Sequence, residues 1–147
     1  MTEEKKDFFV SDISLSYQYT AGNATTRFLN KVAEGKLVAQ KCPKCSAVYV
    51  PPRGSCPRCG VATEEELELP DTGAVESFTI VHIPIPGNPI VPPYVSAMIR
   101  LDGADISFLH LIQEIDLAEI RIGMRVQAVW KDKSEWGTTL ENIKWFK

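Results

Sequence analysis

The sequence predicts an α+β chain made of an N-terminal helical segment, a metal-stapled ribbon and a C-terminal five-stranded barrel. Three observations predict it. Four cysteines fall as two close pairs within residues 42 to 59. A short amphipathic stretch precedes them and stops at Gly35. From Thr72 onward, β-branched and aromatic runs alternate with turn residues. The expected divisions are residues 1–35, 36–70 and 71–147.

Residues 1 to 12 are mostly polar and read as a loose terminus. Ile13, Leu15, Tyr17 and Tyr19 alternate with polar residues, which favours an extended strand over 13–20. Residues 24 to 34 read as helix. Asn23 or Thr25 can accept a free backbone N–H as N-cap, and Phe28, Leu29, Val32 and Ala33 share one face. Gly35 can end the helix in the left-handed conformation.

The cysteine segment reads Cys42-Pro-Lys-Cys45, ten intervening residues, then Cys56-Pro-Arg-Cys59-Gly60. Two residues between cysteines let both sulfurs of one tight turn face one ion. Two such turns supply four thiolates in a tetrahedron, which suits one structural zinc. Ala47 to Val50 can form the strand between the turns. Disulfides or free core cysteines fit this paired spacing poorly. Iron is the rival metal, as in an electron carrier, because tetrahedral sulfur accepts either. A catalytic zinc is disfavoured, because four protein thiolates leave no open position. Residues 36 to 61 carry Lys36, Lys41, Lys44, Arg53 and Arg58 and no acid. Part of that charge offsets the net negative charge of a zinc tetrathiolate. The remainder is available to phosphate groups.

Glu64, Glu65, Glu66 and Glu68, then Pro70, read as a solvated acidic connector. Asp71 opens the barrel. Strands are expected over 74–83, 94–101, 105–112, 124–131 and 138–146, on their β-branched and aromatic content. Pro84, Pro86, Pro89, Pro92 and Pro93 make the first connection a stiff apolar loop. Asp102-Gly103 supplies a turn, flanked by Asp102 and Asp105. Asp116 and Glu119 have capping-box spacing, so a short helix is expected at 116–120. The Lys133-to-Gly137 connection has hairpin length. Five strands with a short helix after the third is the order of an OB-fold barrel.

The bulk properties bound the function. At 44% hydrophobic and 24% charged, the 147-residue chain can bury a core. Its net charge of -3 gives no global case for nucleic acid. No apolar run approaches bilayer length, and the first residues lack a signal-peptide layout, so a cytoplasmic protein is expected. The only histidines, His82 and His110, lie in expected strands without a second ligand at metal spacing. They read as satisfied strand residues. No G-x-S-x-G, P-loop or G-x-G-x-x-G motif occurs, so no catalytic residue is assigned. Phe78, Tyr94, Phe108, Trp130, Trp136 and Trp145 could stack bases on an open sheet. Filling the barrel core or an interface is the commoner use of such residues.

Gly35-Lys-Leu-Val-Ala-Gln-Lys-Cys42-Pro-Lys-Cys45, Pro51-Pro-Arg53 and Cys56-Pro-Arg-Cys59-Gly60 together carry a resemblance. Gly73-Ala-Val-Glu-Ser-Phe-Thr79, Pro93-Tyr94, Leu101-Asp102 and Ile122-Gly-Met-Arg-Val126 extend it. Across residues 25 to 146 the chain resembles the zinc-ribbon plus OB-fold proteins first catalogued as domain of unknown function thirty-five. The resemblance implies a helical segment, a rubredoxin-like ribbon and an OB barrel. It also implies a place in acyl-CoA metabolism as a non-catalytic partner of thiolase-like enzymes. Archaeal members join an acetoacetyl-CoA thiolase to 3-hydroxy-3-methylglutaryl-CoA synthase, and other relatives are subunits of steroid-CoA hydratases. All four metal-ligand cysteines are kept. Ser46 stands where many relatives have glycine.

The function expected is therefore an accessory or scaffold protein that binds acyl-CoA and docks on a thiolase-like enzyme. Lys44, Arg53 and Arg58 are the candidate contacts to the coenzyme phosphates. The alternatives are a nucleic-acid-binding module, since ribbons and OB barrels both serve that use, and a rubredoxin-like iron electron carrier.

Overall fold

A computed structural model describes residues 14–84 and 86–147. The start of the expected 13–20 strand, Ile13, lies outside them. From Ser14 to Gly22 the chain forms no helix or strand. Leu15, Tyr17 and Tyr19 stand 76–81% exposed, so the alternation is present in sequence but joins no sheet among the described residues.

Helix α1 runs from Asn23 to Ala33. Its N-cap is Gly22, with no side-chain cap, so neither Asn23 nor Thr25 has the expected role. Phe28 and Val32 are buried. At the C-terminus the Gly35 N–H bonds to the Val32 carbonyl at 3.0 Å and the Lys36 N–H to the Lys31 carbonyl at 2.9 Å. That pair of bonds is a Schellman ending, which needs the positive φ of 79° found at Gly35. A Cβ there would also meet the Trp136 ring at 2.7 Å. Glycine is thus required twice over.

The ribbon sheet has the order β2-β1-β3, built from β1 (Leu37–Lys41), β2 (Val48–Tyr49) and β3 (Glu65–Leu69). Strand β3 corrects the expectation of an acidic connector. It pairs antiparallel with the whole of β1, Leu37 opposite Leu69 and Lys41 opposite Glu65. Leu69 is its one buried residue. Glu66 and Glu68 face cations instead, Arg27 at 3.6 Å and Lys36 at 3.4 Å.

The barrel strands are β4 (Thr72–Val81), β5 (Tyr94–Leu101), β6 (Phe108–Ile112), β7 (Arg125–Trp130) and β8 (Ile143–Phe146). They close in the order β4-β5-β6-β8-β7. All neighbours are antiparallel except β6 and β8, which pair in parallel through Ile112 and Phe146 alone. Inward residues Val75, Val95, Ile99, Leu101, Ile112, Ile143 and Phe146 are almost fully buried. One continuous apolar core runs from Phe28 and Val32 through Leu37 and Val50 to Phe146.

Two segments differ from expectation. Residues 116–120 form a turn, in which Asp116 Oδ1 accepts from the Ala118 N–H at 2.9 Å and the Asp116 carbonyl from Glu119 at 2.9 Å. A helix that short has too few bonds to offset its nucleation. The final strand begins at Ile143 and not near 138, because two 3-10 turns, Lys133–Glu135 and Leu140–Asn142, occupy the connection.

Polar contacts fasten ribbon and helix to the barrel. Asp105 exchanges bonds with Val48: Asp105 Oδ2 accepts from the Val48 N–H at 2.8 Å, and the Asp105 N–H donates to the Val48 carbonyl at 2.9 Å. Asp105 is therefore a clasp between strand β2 and the barrel, beyond the turn role expected of it. The buried Asn142 donates from Nδ2 to the Val32 carbonyl at 3.2 Å and to the Gly137 carbonyl at 2.7 Å. Asp71, at the mouth of β4, accepts from Trp130 Nε1 at 3.1 Å. Asp102 pairs with Arg125 and accepts from Thr72 Oγ1 at 2.6 Å. Those contacts, the Arg125 guanidinium first, hold its carboxyl down to about 2.

Candidate metal centre

The two cysteine turns are built alike. In the first, the Cys42 N–H donates to the Ala47 carbonyl at 2.8 Å and Ser46 N–H to the Cys42 carbonyl at 2.9 Å. In the second, Cys56 donates to Val61 at 2.8 Å and Gly60 to Cys56 at 2.8 Å. Each turn passes through one residue with positive φ, Ser46 at 60° and Gly60 at 67°. The N–H groups of Lys44 and Cys45 lie 3.4 and 3.5 Å from Cys42 Sγ. Backbone donors from Arg58 and Cys59 act on Cys56 in the same way. Donors aimed at sulfur favour the thiolate, the form that binds metal.

The four Sγ atoms lie within 4.8 Å of one another. Cys45 Sγ and Cys56 Sγ are 3.7 Å apart. Metal–sulfur bonds of about 2.3 Å at a tetrahedral zinc give sulfur–sulfur edges of about 3.8 Å. The donor set and its spacing therefore fit a metal ion held by Cys42, Cys45, Cys56 and Cys59. Tyr49, unremarked in the sequence, supports the set. Its hydroxyl is 3.3 Å from Cys56 Sγ, and both residues are buried. The Cys56 thiol is held down to about 6, chiefly by that hydroxyl. Tyr49 is pushed up to about 12 by the same bond and by burial. Cys59 is pushed up to about 12 by its hydrogen bond with Cys45, then by burial. Such a spread is what sulfurs in one small volume show when they compete for negative charge. A divalent cation among them removes the competition.

The remaining candidates lie on the rim. Lys44 and Arg58 occupy matching positions in the two turns, and Arg53 sits before Gly54; all three are exposed. Among the described residues none of them has an ion-pair partner, whereas Lys36 is engaged by Glu68. The cysteine cluster has its own small core of Ala47 and Tyr49, against which Ile106 of the barrel packs. His82 lies just past β4 and is exposed. His110 does lie in a strand, but its Nδ1 is buried without a partner, so it is not the satisfied residue expected. No described helix is long and apolar enough to cross a membrane.

A four-sulfur ribbon joined to a closed five-stranded barrel defines a metal-ribbon plus OB-fold protein. The ChsH2 rubredoxin-like zinc ribbon domain matches residues 30–65, and the ChsH2 C-terminal OB-fold domain matches residues 66–131. A DUF35 domain-containing scaffold protein of Methanocaldococcus jannaschii is 36% identical over 103 residues, covering 69% of this chain and 72% of that one. The chain belongs to the DUF35 family. A probable enoyl-CoA hydratase alpha subunit of Thermomonospora curvata is 34% identical over 95 residues, which cover 65% of this chain and only 29% of that protein. Among solved structures, a DUF35 protein of unknown function from Sulfolobus solfataricus aligns with TM-score 0.63 and 28% identity, covering 74% of this chain and 78% of that one. A chain of the Ltp2-ChsH2(DUF35) aldolase aligns with TM-score 0.62 and 28% identity, covering 78% of this chain and 90% of its counterpart. These relatives support a scaffold or accessory role.

Proposed function

We propose that this chain is a non-catalytic accessory subunit that binds acyl-CoA and docks on a thiolase-like enzyme, with 3-hydroxy-3-methylglutaryl-CoA synthase as a candidate further partner. The observation that carries the reading is the likeness to the ChsH2 chain of an aldolase assembly, nine-tenths of which this chain covers. The relative named as a hydratase subunit also points to a CoA-linked assembly. The metal, taken as one structural zinc, holds the two cysteine turns in register and does no chemistry, since four thiolates fill its coordination. Lys44 and Arg58, unpaired on the turns it fixes, and Arg53, unpaired in the segment between them, offer donors to the phosphates of the coenzyme.

Calorimetry with CoA, on the chain alone and with a co-purified partner enzyme, tests this. The expected result is binding that weakens about tenfold in Arg53→Ala, the size of one charge-assisted hydrogen bond. Absence of CoA binding in both settings overturns the coenzyme part of the reading.

A further inference from the structure

The two cysteine turns share more than their ligands. The residue before the first cysteine of each pairs with a residue just beyond the turn, Lys41 with Val48 and Ser55 with Ala62. The next residue in each case carries a hydroxyl, Tyr49 and Thr63, and both are buried. Backbone N–H groups reach the first sulfur of each turn, from Lys44 and Cys45 to Cys42 and from Arg58 and Cys59 to Cys56. The likeness ends at the hydroxyls. Thr63 Oγ1 donates to Gln40 Oε1 at 3.1 Å, an oxygen that also accepts from the Gly54 N–H at 3.1 Å. Tyr49 Oη instead crosses to the other turn and lies 3.3 Å from Cys56 Sγ. Among the described residues, Cys56 thus has a side-chain hydroxyl that Cys42 lacks.

The direction of that bond follows from the ligand role of Cys56. A sulfur that binds a metal carries no proton, so the hydroxyl is the donor. Its surroundings give the bond its weight. Ala47, Val61 and Ile106 pack on the same cluster and bring no side-chain donor. The cations of the segment, Lys44, Arg53 and Arg58, are exposed. Four thiolates around a divalent ion keep a net negative charge. Water and cations can spread that charge on the open side. On the buried side an unmet negative charge is costly, and the Tyr49 hydroxyl is the side-chain donor placed to meet it.

We propose that Tyr49 belongs to the metal centre as a positioning residue, its hydroxyl helping to retain the ion by taking up negative charge from Cys56 Sγ. The role rests on Cys42, Cys45, Cys56 and Cys59 holding a metal, and it is independent of the coenzyme reading. Groups that hydrogen-bond to metal ligands commonly change metal affinity by about 10–100-fold. One neutral hydroxyl on one of four sulfurs belongs at the lower end of that range.

The test compares the cobalt-loaded full chain with Tyr49→Phe, which keeps the ring and loses only the hydroxyl. A hydrogen bond to sulfur lowers the energy of the electrons that the sulfur–cobalt band promotes. Its loss should move the band to lower energy and weaken cobalt retention against a chelator by about tenfold. In iron-loaded protein the reduction potential should fall, because a donor to sulfur favours the more negative, reduced state. Thr63→Val removes a buried hydroxyl that is bonded to Gln40 and not to sulfur. It should leave band and potential where they are. An unmoved band and potential in Tyr49→Phe overturn the proposal, since the tyrosine then serves as packing that phenylalanine supplies equally. Equal shifts in Thr63→Val overturn it too, because the effect is then a general loosening of the ribbon. An unaltered chain that takes up cobalt without a sulfur–cobalt band overturns the metal centre itself, and this role with it.

Discussion

The ribbon and the barrel hold themselves together by different means. Around the metal centre the buried set is small, Ala47 and Tyr49 beside Cys42 and Cys56, and its geometry is set by two matching turns and four sulfurs. The barrel closes on a dozen inward apolar side chains. A metal-built region can present exposed cations on short turns, because its order does not depend on burying them. A packed barrel draws its order from that apolar burial instead.

Breaking the barrel side should have the larger effect. Phe146 is fully buried and links β8 to both β6 and β7. Phe146→Ala is expected to cost about 3–5 kcal/mol in urea unfolding followed by tryptophan fluorescence. In cobalt-substituted protein the visible sulfur–cobalt band should persist in this variant before denaturant is added. Loss of the band on mutation would show that the ribbon depends on the barrel's packing.

The ribbon side offers a smaller and sharper probe. Ser46 and Gly60 hold the same position in the two turns with φ of 60° and 67°. A non-glycine residue there costs about 1–2 kcal/mol, offset in part by the roughly 0.4–1 kcal/mol of extra freedom glycine gives the unfolded chain. Ser46→Gly should therefore stabilise the ribbon by about 0.5 kcal/mol, read as a rise in the midpoint for losing the cobalt band. Gly60→Ser should lower it by a similar amount, since nothing lies within 4 Å of the added Cβ. A fall in the midpoint with Ser46→Gly would mean that the serine side chain does more than tolerate the turn.

The same contrast explains what could be read from sequence. The gathering of the four cysteines was legible because local spacing alone brings such pairs together, and the helix end was legible because Gly35 permits the left-handed turn. Strand β3 was hidden: its partner β1 lies more than twenty residues earlier, and the dense glutamates obscured the Leu67 and Leu69 alternation. Those glutamates suit a strand because Arg27 and Lys36 come from elsewhere to meet them. Asp105, Asn142 and Tyr49 act through contacts that sequence spacing does not encode. Leu15, Tyr17 and Tyr19 show the opposite failure, a strand pattern in a segment that pairs with nothing described.

The central claim is that the metal shapes the ribbon and takes no part in chemistry. X-ray absorption at the metal edge, with metal analysis of the protein purified under reducing conditions, tests it most directly. The account expects one zinc per chain, a colourless protein, and four sulfur neighbours at about 2.3 Å with no nitrogen or oxygen. Iron in the site, or a bound oxygen or nitrogen in place of one sulfur, would contradict it.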